Sequence, residues 1–317
     1  MEVVTFGESM VLFSGDRELP LEYVHQFHKQ MAGAESNVAI GLARLGHSAG
    51  WFSKLGQDPF GRYLLQSVRG QGVDTSRCTY TDAAPTAVFF KERKSAGKTQ
   101  VYYYRQGSAA SLMTKEELDE SYIAQAKILH VTGITPALSQ SCYELTLHAM
   151  DVAKRHQVTV VFDPNIRWKL WTRETAKARL TELAGKADYI LPGLDEGEFL
   201  AGRPEPEEIA GFFLKLGATG VIVKLGKDGA YYQSSTERGH VPAIPVQEVD
   251  PVGAGDGFAA GFISGLLRRD TLADAVLRAN AVGAIVVGVR GDTEGLPNEE
   301  ELQSMLSGQT GYQNVER

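Results

Sequence analysis

Short apolar, β-branched runs recur along the chain at residues 3–6, 127–131, 158–162, 189–191 and 221–224. Each has the length and composition of a buried strand. Residues 139–156, 173–185 and 205–216, lying between them, carry apolar positions at helical spacing. Strand and helix alternating at these intervals predict an α/β fold with a mostly parallel central sheet covered by helices. Ligands in such sheets bind beyond the carboxyl ends of the strands. Three polar segments fall just past predicted strands and are candidates to line one site. They are Gly133-Ile134-Thr135-Pro136, Asp163-Pro164-Asn165 and Leu225-Gly226-Lys227-Asp228-Gly229.

Two stretches break the alternation. Residues 10–27 and 86–104 read as β-structure without crossover helices, and 87–91 with 100–104 form a hairpin pattern around a polar turn at 94–98. They predict a small, discontinuous β-lid over approximately 10–30 and 84–110, set on one α/β domain spanning 1–317. The C-terminal third is read as two helices, 255–268 and 272–289, with a polar, loose tail at 307–317.

A chain of 317 residues, 43% hydrophobic and 22% charged, can fill a large core. Its net charge of −7 and lack of a basic run argue against nucleic acid as a partner. Cys78 and Cys142 form no CxxC pair, so neither a disulfide framework nor a thiolate zinc site is expected. The start, Met1-Glu2-Val3-Val4-Thr5-Phe6, reads as a strand and not a signal peptide. No apolar run reaches the ~18 residues of a membrane span. A soluble, cytoplasmic protein follows as the expectation.

The densest candidate chemistry is Asp250-Pro251-Val252-Gly253-Ala254-Gly255-Asp256, placed where an apolar helical run begins. Free N–H groups and partial positive charge at a helix start suit an anion. Glycines let a phosphate approach that backbone. Asp256 is then either a capping acid or a base that deprotonates a hydroxyl attacking phosphorus. Two motifs are decoys. Gly97-Lys98-Thr99 has the end of a P-loop, but Glu92 stands where that motif needs glycine. Residues 253–257 lack the spacing of a dinucleotide fingerprint. The histidines show no metal spacing, and His130 reads as a core or surface residue.

The segment from Asp250 through Phe258 resembles the C-terminal signature of the ribokinase-like (PfkB) carbohydrate kinases. Met31-Ala32-Gly33-Ala34-Glu35-Ser36-Asn37, running on to Arg44-Leu45-Gly46, resembles their N-terminal signature, and Gly56-Gln57-Asp58-Pro59-Phe60-Gly61 matches the segment that follows it. Order and spacing agree over roughly residues 3–305. Within the family, residues 101–110, 133–138, 163–167 and 290–295 are most similar to the kinases of 2-keto-3-deoxygluconate. Ala32, Pro251 and Gly193 stand where the family often has Gly, Thr and Asn, respectively.

The resemblance implies an ATP- and Mg²⁺-dependent kinase acting on the 6-hydroxyl of that sugar acid. A fructokinase or other ketose kinase is the alternative, and a catalytically silent sugar-binding or scaffolding member a remote one. Asp256 takes the role of base, and Gly253, Ala254 and Gly255 the anion hole. Arg105 and Arg167 would grip the substrate carboxylate, Tyr103 would pack on the sugar, and Gly33, Asn37 and Asp292 would meet its hydroxyls. Ordinary ion pairs, strand packing and turn roles are the competing readings. Gly193, Lys224, Gly226, Gly229 and Asn280 fall to ATP, with Asn280 near the adenine, and Glu196 to the metal through water. An exposed lid edge invites a second lid, so a homo-oligomer is expected.

Overall fold

The computed structural model describes residues 1–94 and 98–308 of the chain. The apex of the predicted hairpin turn, the start of the Gly97-Lys98-Thr99 decoy and the end of the predicted loose tail lie outside the described residues.

The strands are β1 Val3–Phe6, β2 Met10–Gly15, β3 Phe27–Ala32, β4 Ala49–Phe52, β5 Lys54–Gly56, β6 Thr79–Thr81, β7 Val88–Lys94, β8 Lys98–Tyr104, β9 Ile128–Thr132, β10 Thr159–Asp163, β11 Tyr189–Ile190, β12 Gly220–Lys224, β13 Ala230–Ser234 and β14 Arg238–Val241. The helices are α1 Ala34–Arg44, α2 Pro59–Gly70, α3 Glu120–Ala124, α4 Thr135–Leu138, α5 Gln140–Arg155, α6 Arg173–Ala184, α7 Leu194–Ala201, α8 Pro206–Lys215, α9 Ala254–Arg268, α10 Leu272–Val287 and α11 Glu299–Leu306.

The main sheet runs β14-β13-β12-β11-β10-β9-β1-β4. Pairing is parallel from β12 to β4, and β13 and β14 add an antiparallel edge. The period of two in each strand distributes its side chains to two cores. Val4, Phe6, Leu129, Val160, Phe162, Val221 and Val223 join a core closed by α5, α6, α7 and α8. Val3, Ile128, Val161 and Ile222 point the other way, into a core closed by α1, α2, α9, α10 and α11. His130 is fully buried and shares a 3.0 Å hydrogen bond with Thr5. Burial pushes its pKa down to about 3, so it is a neutral core residue.

A second sheet, β3-β2-β7-β8, is the lid. The β-structure expected over 10–27 is shorter than that. Residues 16–26 form a loop with one 3₁₀ turn, Leu21–Tyr23, and pairing resumes only at Phe27. Asp16, Pro20 and polar neighbours interrupt the alternation that a strand needs. The last strand, β8, is an edge whose Tyr102, Tyr103 and Tyr104 are 37, 37 and 66% exposed. Among the described residues, no helix is long and apolar enough to cross a membrane.

Candidate active site

The carboxyl ends of the parallel strands open into a cavity of about 510 Å³ roofed by the lid. Glu8 comes from beyond β1, Ile134 from beyond β9, Asp163, Asn165 and Arg167 from the end of β10, and Gly193 and Lys224 from the ends of β11 and β12. Thr99, Val101, Tyr103 and Arg105 reach it from the lid side, every second residue, as strand geometry requires. Gly33 and Asn37 at the start of α1, Gly253, Gly255 and Asp256 at the start of α9, and Asp292 beyond α10 complete the wall. Residues that are distant in sequence thus converge, and of the three strand-end segments two contribute here while Gly226 and Gly229 turn to a neighbouring cleft.

Gly253 caps α9 with φ +80, a left-handed conformation that only glycine adopts without strain. A Cβ there would stand 2.7 Å from the Asp292 carbonyl oxygen. The N–H groups of Gly255 and Asp256 have no acceptor among the described residues, leaving the positive end of a fifteen-residue helix facing the cavity. Asp256, in the first turn, accepts a 2.8 Å hydrogen bond from the Asn37 amide. Asn37, expected to meet substrate hydroxyls, gives one amide N–H to Asp256, and its buried Oδ1 remains without a hydrogen-bond partner.

Burial pushes the Asp256 carboxyl up to about 7, against the Asn37 hydrogen bond and the Arg167 charge, with Asp292 and Asp163 adding to the rise. Asp292 is likewise pushed to about 7 by burial, opposed by Lys91 and reinforced by Glu294 and Asp250. A buried acid with a raised pKa weighs on folding where the unfolded chain ionises first. Its cost is absent below pH ~4 and grows as pH rises to about 7. Asp256→Asn therefore raises Tm of the ligand-free protein at pH 8, by ~2–4 kcal/mol or about 3–8 °C. The gain is less than half as large at pH 5. Equal shifts at both pH values in calorimetry would show that the carboxyl titrates normally.

The two arginines expected to grip the substrate carboxylate differ in their surroundings. Arg105 Nη2 lies 2.6 Å from Glu8 Oε2, and both side chains are buried. Ser108 Oγ donates to the other Glu8 oxygen. An unpaired guanidinium in so dry a place would be costly, and Glu8 neutralises it. Arg105 Nε and Nη2 still lack a well-angled acceptor among the described residues. Arg167 is exposed at the cavity mouth and forms no ion pair with a described residue. Tyr103, on lid strand β8, has its ring 5.4 Å from that of Phe89 and 5.5 Å from the Arg105 guanidinium.

A second cleft, of about 520 Å³, meets the first at Lys224, Pro251 and Gly255. Its walls are apolar, including Ile244, Pro245, Val246, Phe258, Ala284 and Val287, with Gly226, Gly229 and Asn280. Asn280 Nδ2 donates to the carbonyls of Val241 at 3.0 Å and Pro242 at 3.1 Å. Its donors fasten the cleft wall, and Asn280 lines the cleft in which the adenine was expected. Gly229 has φ +94, and a Cβ would lie 2.1 Å from Val241 O, so this glycine serves backbone approach.

Lys224 Nζ binds Asp163 Oδ2 at 2.7 Å. Burial, which lowers its pKa, is outweighed by Asp163, Glu196 and Asp256, so the ammonium is firmly charged at the junction of the two clefts. Glu196 accepts from Gly193 N–H at 2.8 Å and Ile166 N–H at 2.6 Å. Both its oxygens already hold backbone, and only further lone pairs are open to a water. Among the described residues, no group of three or more His, Cys, Asp or Glu could hold a metal ion.

Three participants escaped the sequence reading. Glu8 follows β1 directly and carries the same strand-end signal that marked Asp163. The buried Glu35, held by Thr132 at 2.6 Å and Thr135 at 2.8 Å, lay inside the N-terminal signature without an assigned role. Lys91 pairs with Asp250 at 2.7 Å, and nothing in a lid strand announces such a partner.

A central parallel sheet under a four-stranded lid, with an anion-binding helix start beside a partly buried carboxylate, is the architecture of a sugar kinase. The model of the pfkB family carbohydrate kinases matches residues 1–299, and the chain belongs to that family. The chain is 46% identical over 312 residues to the 2-dehydro-3-deoxygluconokinase of Bacillus subtilis, covering 98% of this chain and 96% of that one. It is 35% identical to the 2-dehydro-3-deoxygluconokinase of Thermoproteus tenax, over 96 and 94% of the two chains. Fructokinase-1 of Oryza sativa is 34% identical, over 96 and 97%.

Solved structures agree in fold. The PfkB protein of Polaromonas sp. JS666 superposes with a TM-score of 0.89 at 43% identity, covering 96% of this chain and 99% of that one. The 2-dehydro-3-deoxygluconokinase of Thermotoga maritima does so at 0.89 and 27%, covering 97 and 100%. A Xylella fastidiosa fructokinase with bound ATP gives 0.86 and 26%, covering 98 and 99%. The fold is therefore the ribokinase-like α/β fold.

Proposed function

We propose that this carbohydrate kinase transfers the γ-phosphoryl group of ATP to the 6-hydroxyl of 2-dehydro-3-deoxygluconate, the 2-keto-3-deoxy sugar acid. The observation that carries the reading is Asp256, a partly buried carboxylate in the first turn of α9, sharing the cavity with free helix N–H groups and the Arg167 guanidinium. The sugar lies in the lidded cavity, with its carboxylate toward Arg167 and Arg105 and its hydroxyls toward Gly33, Asn37 and Asp292. ATP lies in the apolar cleft, its phosphates reaching Lys224 and the backbone of residues 253–256 past Gly193, Gly226 and Gly229.

Asp256 takes the proton of the 6-hydroxyl as that oxygen bonds to phosphorus. The bond from phosphorus to the bridging oxygen breaks, and ADP leaves. The N–H groups near Gly253, Ala254 and Gly255 take up the charge that builds on the phosphoryl oxygens. Mg²⁺ bound to the ATP phosphates would share that charge. Glu196 suits it through water, since its oxygens already accept two backbone N–H groups. Lid closure excludes water, the competing acceptor. The use of ATP fits a cytoplasmic setting. The exposed tyrosine edge of β8 suits a homo-oligomer joined lid to lid, which sedimentation as a monomer would overturn.

Fructose is the second reading, favoured by the prior pairing of Arg105 with Glu8. An ADP-release assay with ATP and Mg²⁺ compares the keto-deoxy acid, gluconate, fructose and ribose. The expected result is high kcat/KM for the keto-deoxy acid alone. Preference for fructose would overturn the acid assignment, and no turnover with any sugar would overturn the reading.

A further inference from the structure

The reaction described above leaves one buried ionic contact unused. Lys91 stands on lid strand β7, and its Nζ lies 2.7 Å from Asp250 Oδ2, with the two side chains only 5 and 10% exposed. Asp250 opens the loop that ends at the start of α9. Its other oxygen, Oδ1, accepts the Val252 N–H at 3.2 Å, and its own N–H is held by Val287 O at 3.1 Å. Asp250 thus joins the lid and the loop through its carboxylate and the end of α10 through its backbone N–H. Val252 immediately precedes Gly253, whose left-handed conformation aims the following N–H groups into the cavity. Lys91 itself lines that cavity with Asp256, Asp292 and Arg167.

A carboxylate buried in this loop would bend it toward any other donor and would repel an incoming phosphate across low-dielectric space. The lysine ammonium removes both effects, and it comes from the lid, the element that covers the sugar. Resting on the kinase reading, we propose that Lys91 is a positioning residue. It neutralises Asp250 and so holds residues 250–253 in the shape that presents the α9 N–H groups to the transferring phosphoryl group. Neither the anion hole nor the base includes Lys91, and its effect passes through Asp250.

The test uses the full-length protein with its best sugar and saturating ATP–Mg²⁺. Lys91→Ala is expected to lower kcat about 10–100-fold, short of the ~10²–10³ seen on losing an anion-hole donor itself. The KM for the sugar should stay within about threefold, since no sugar contact is lost. Methylammonium should restore part of kcat by filling the space left by the side chain, while sodium chloride at equal ionic strength should not. The Lys91→Ala/Asp250→Asn pair should be faster than Lys91→Ala alone, because it removes the unpaired carboxylate.

Lys91→Met, which keeps the bulk of the stem, carries the kcat, KM and double-variant measurements, without the methylammonium arm, if the alanine variant does not fold. A Lys91 variant with kcat within about twofold of the parent would overturn the proposal. So would a loss that ignores methylammonium and deepens in the double variant. An inactive parent would instead overturn the kinase reading.

Discussion

Asp256→Asn lowers kcat by at least ~10²-fold, with modest change in the KM for sugar and ATP. The amide is nearly isosteric and still receives the Asn37 hydrogen bond, so the loop and α9 keep their shape. What is lost is the ability to take a proton. Turnover at the parent rate in an ADP-release assay would show that some other group serves as base.

The pH profile of the parent enzyme separates this role from a structural one. A base must be ionised to act, and Asp256 is held protonated up to about 7 by burial and by the acids around it. For the free enzyme, kcat/KM should therefore fall tenfold per unit as pH drops below about 7, and level off above it. Asp292 is pushed to a similar value, so the inflection belongs to the two carboxyls together. Asp256→Asn should flatten the acid limb of whatever activity remains. A residual profile with the parent's inflection would assign the titration to Asp292 alone.

Periodicity made the body of the fold legible. Strands such as β10 and β12 are apolar on both faces and stood out against helices with one apolar stripe. The site was legible where chemistry is local. Glycine spacing and an acid at a helix start announced residues 250–256, and position past a strand end announced Asp163. What the chain hides is partnership across long separations. Arg105 reads as a free guanidinium until Glu8, 97 residues earlier, is seen against it. Asn37 reads as a sugar contact, and only the fold shows that it also holds Asp256, 219 residues away. Asn280 reads as a nucleotide contact, and only the fold shows that its donors also hold Val241 and Pro242. Each is a polar side chain that burial obliges to find a partner, and only the tertiary structure says which one.

That asymmetry sets the second large effect. Arg105 is already neutralised, so the charge that distinguishes an acid from a neutral sugar rests mainly on Arg167. Arg167→Ala should cost the keto-deoxy acid ~2–5 kcal/mol in kcat/KM if the closed lid buries its carboxylate, since an unpaired buried carboxylate is penalised. The lower half of that range is favoured by the exposure of Arg167 at the cavity mouth. Much of the loss should fall on KM, because the carboxylate is gripped equally before and during transfer. A neutral ketose has nothing to lose, so its kcat/KM should change little. Removing the charge also removes a restraint on Asp256, whose pKa Arg167 lowers, so the acid limb should move to higher pH. Parallel kcat/KM measurements on the acid and on fructose decide the point. An unchanged ratio of the two after Arg167→Ala would mean that the carboxylate is bound elsewhere, with Arg105, released from Glu8 on lid closure, the first residue to test.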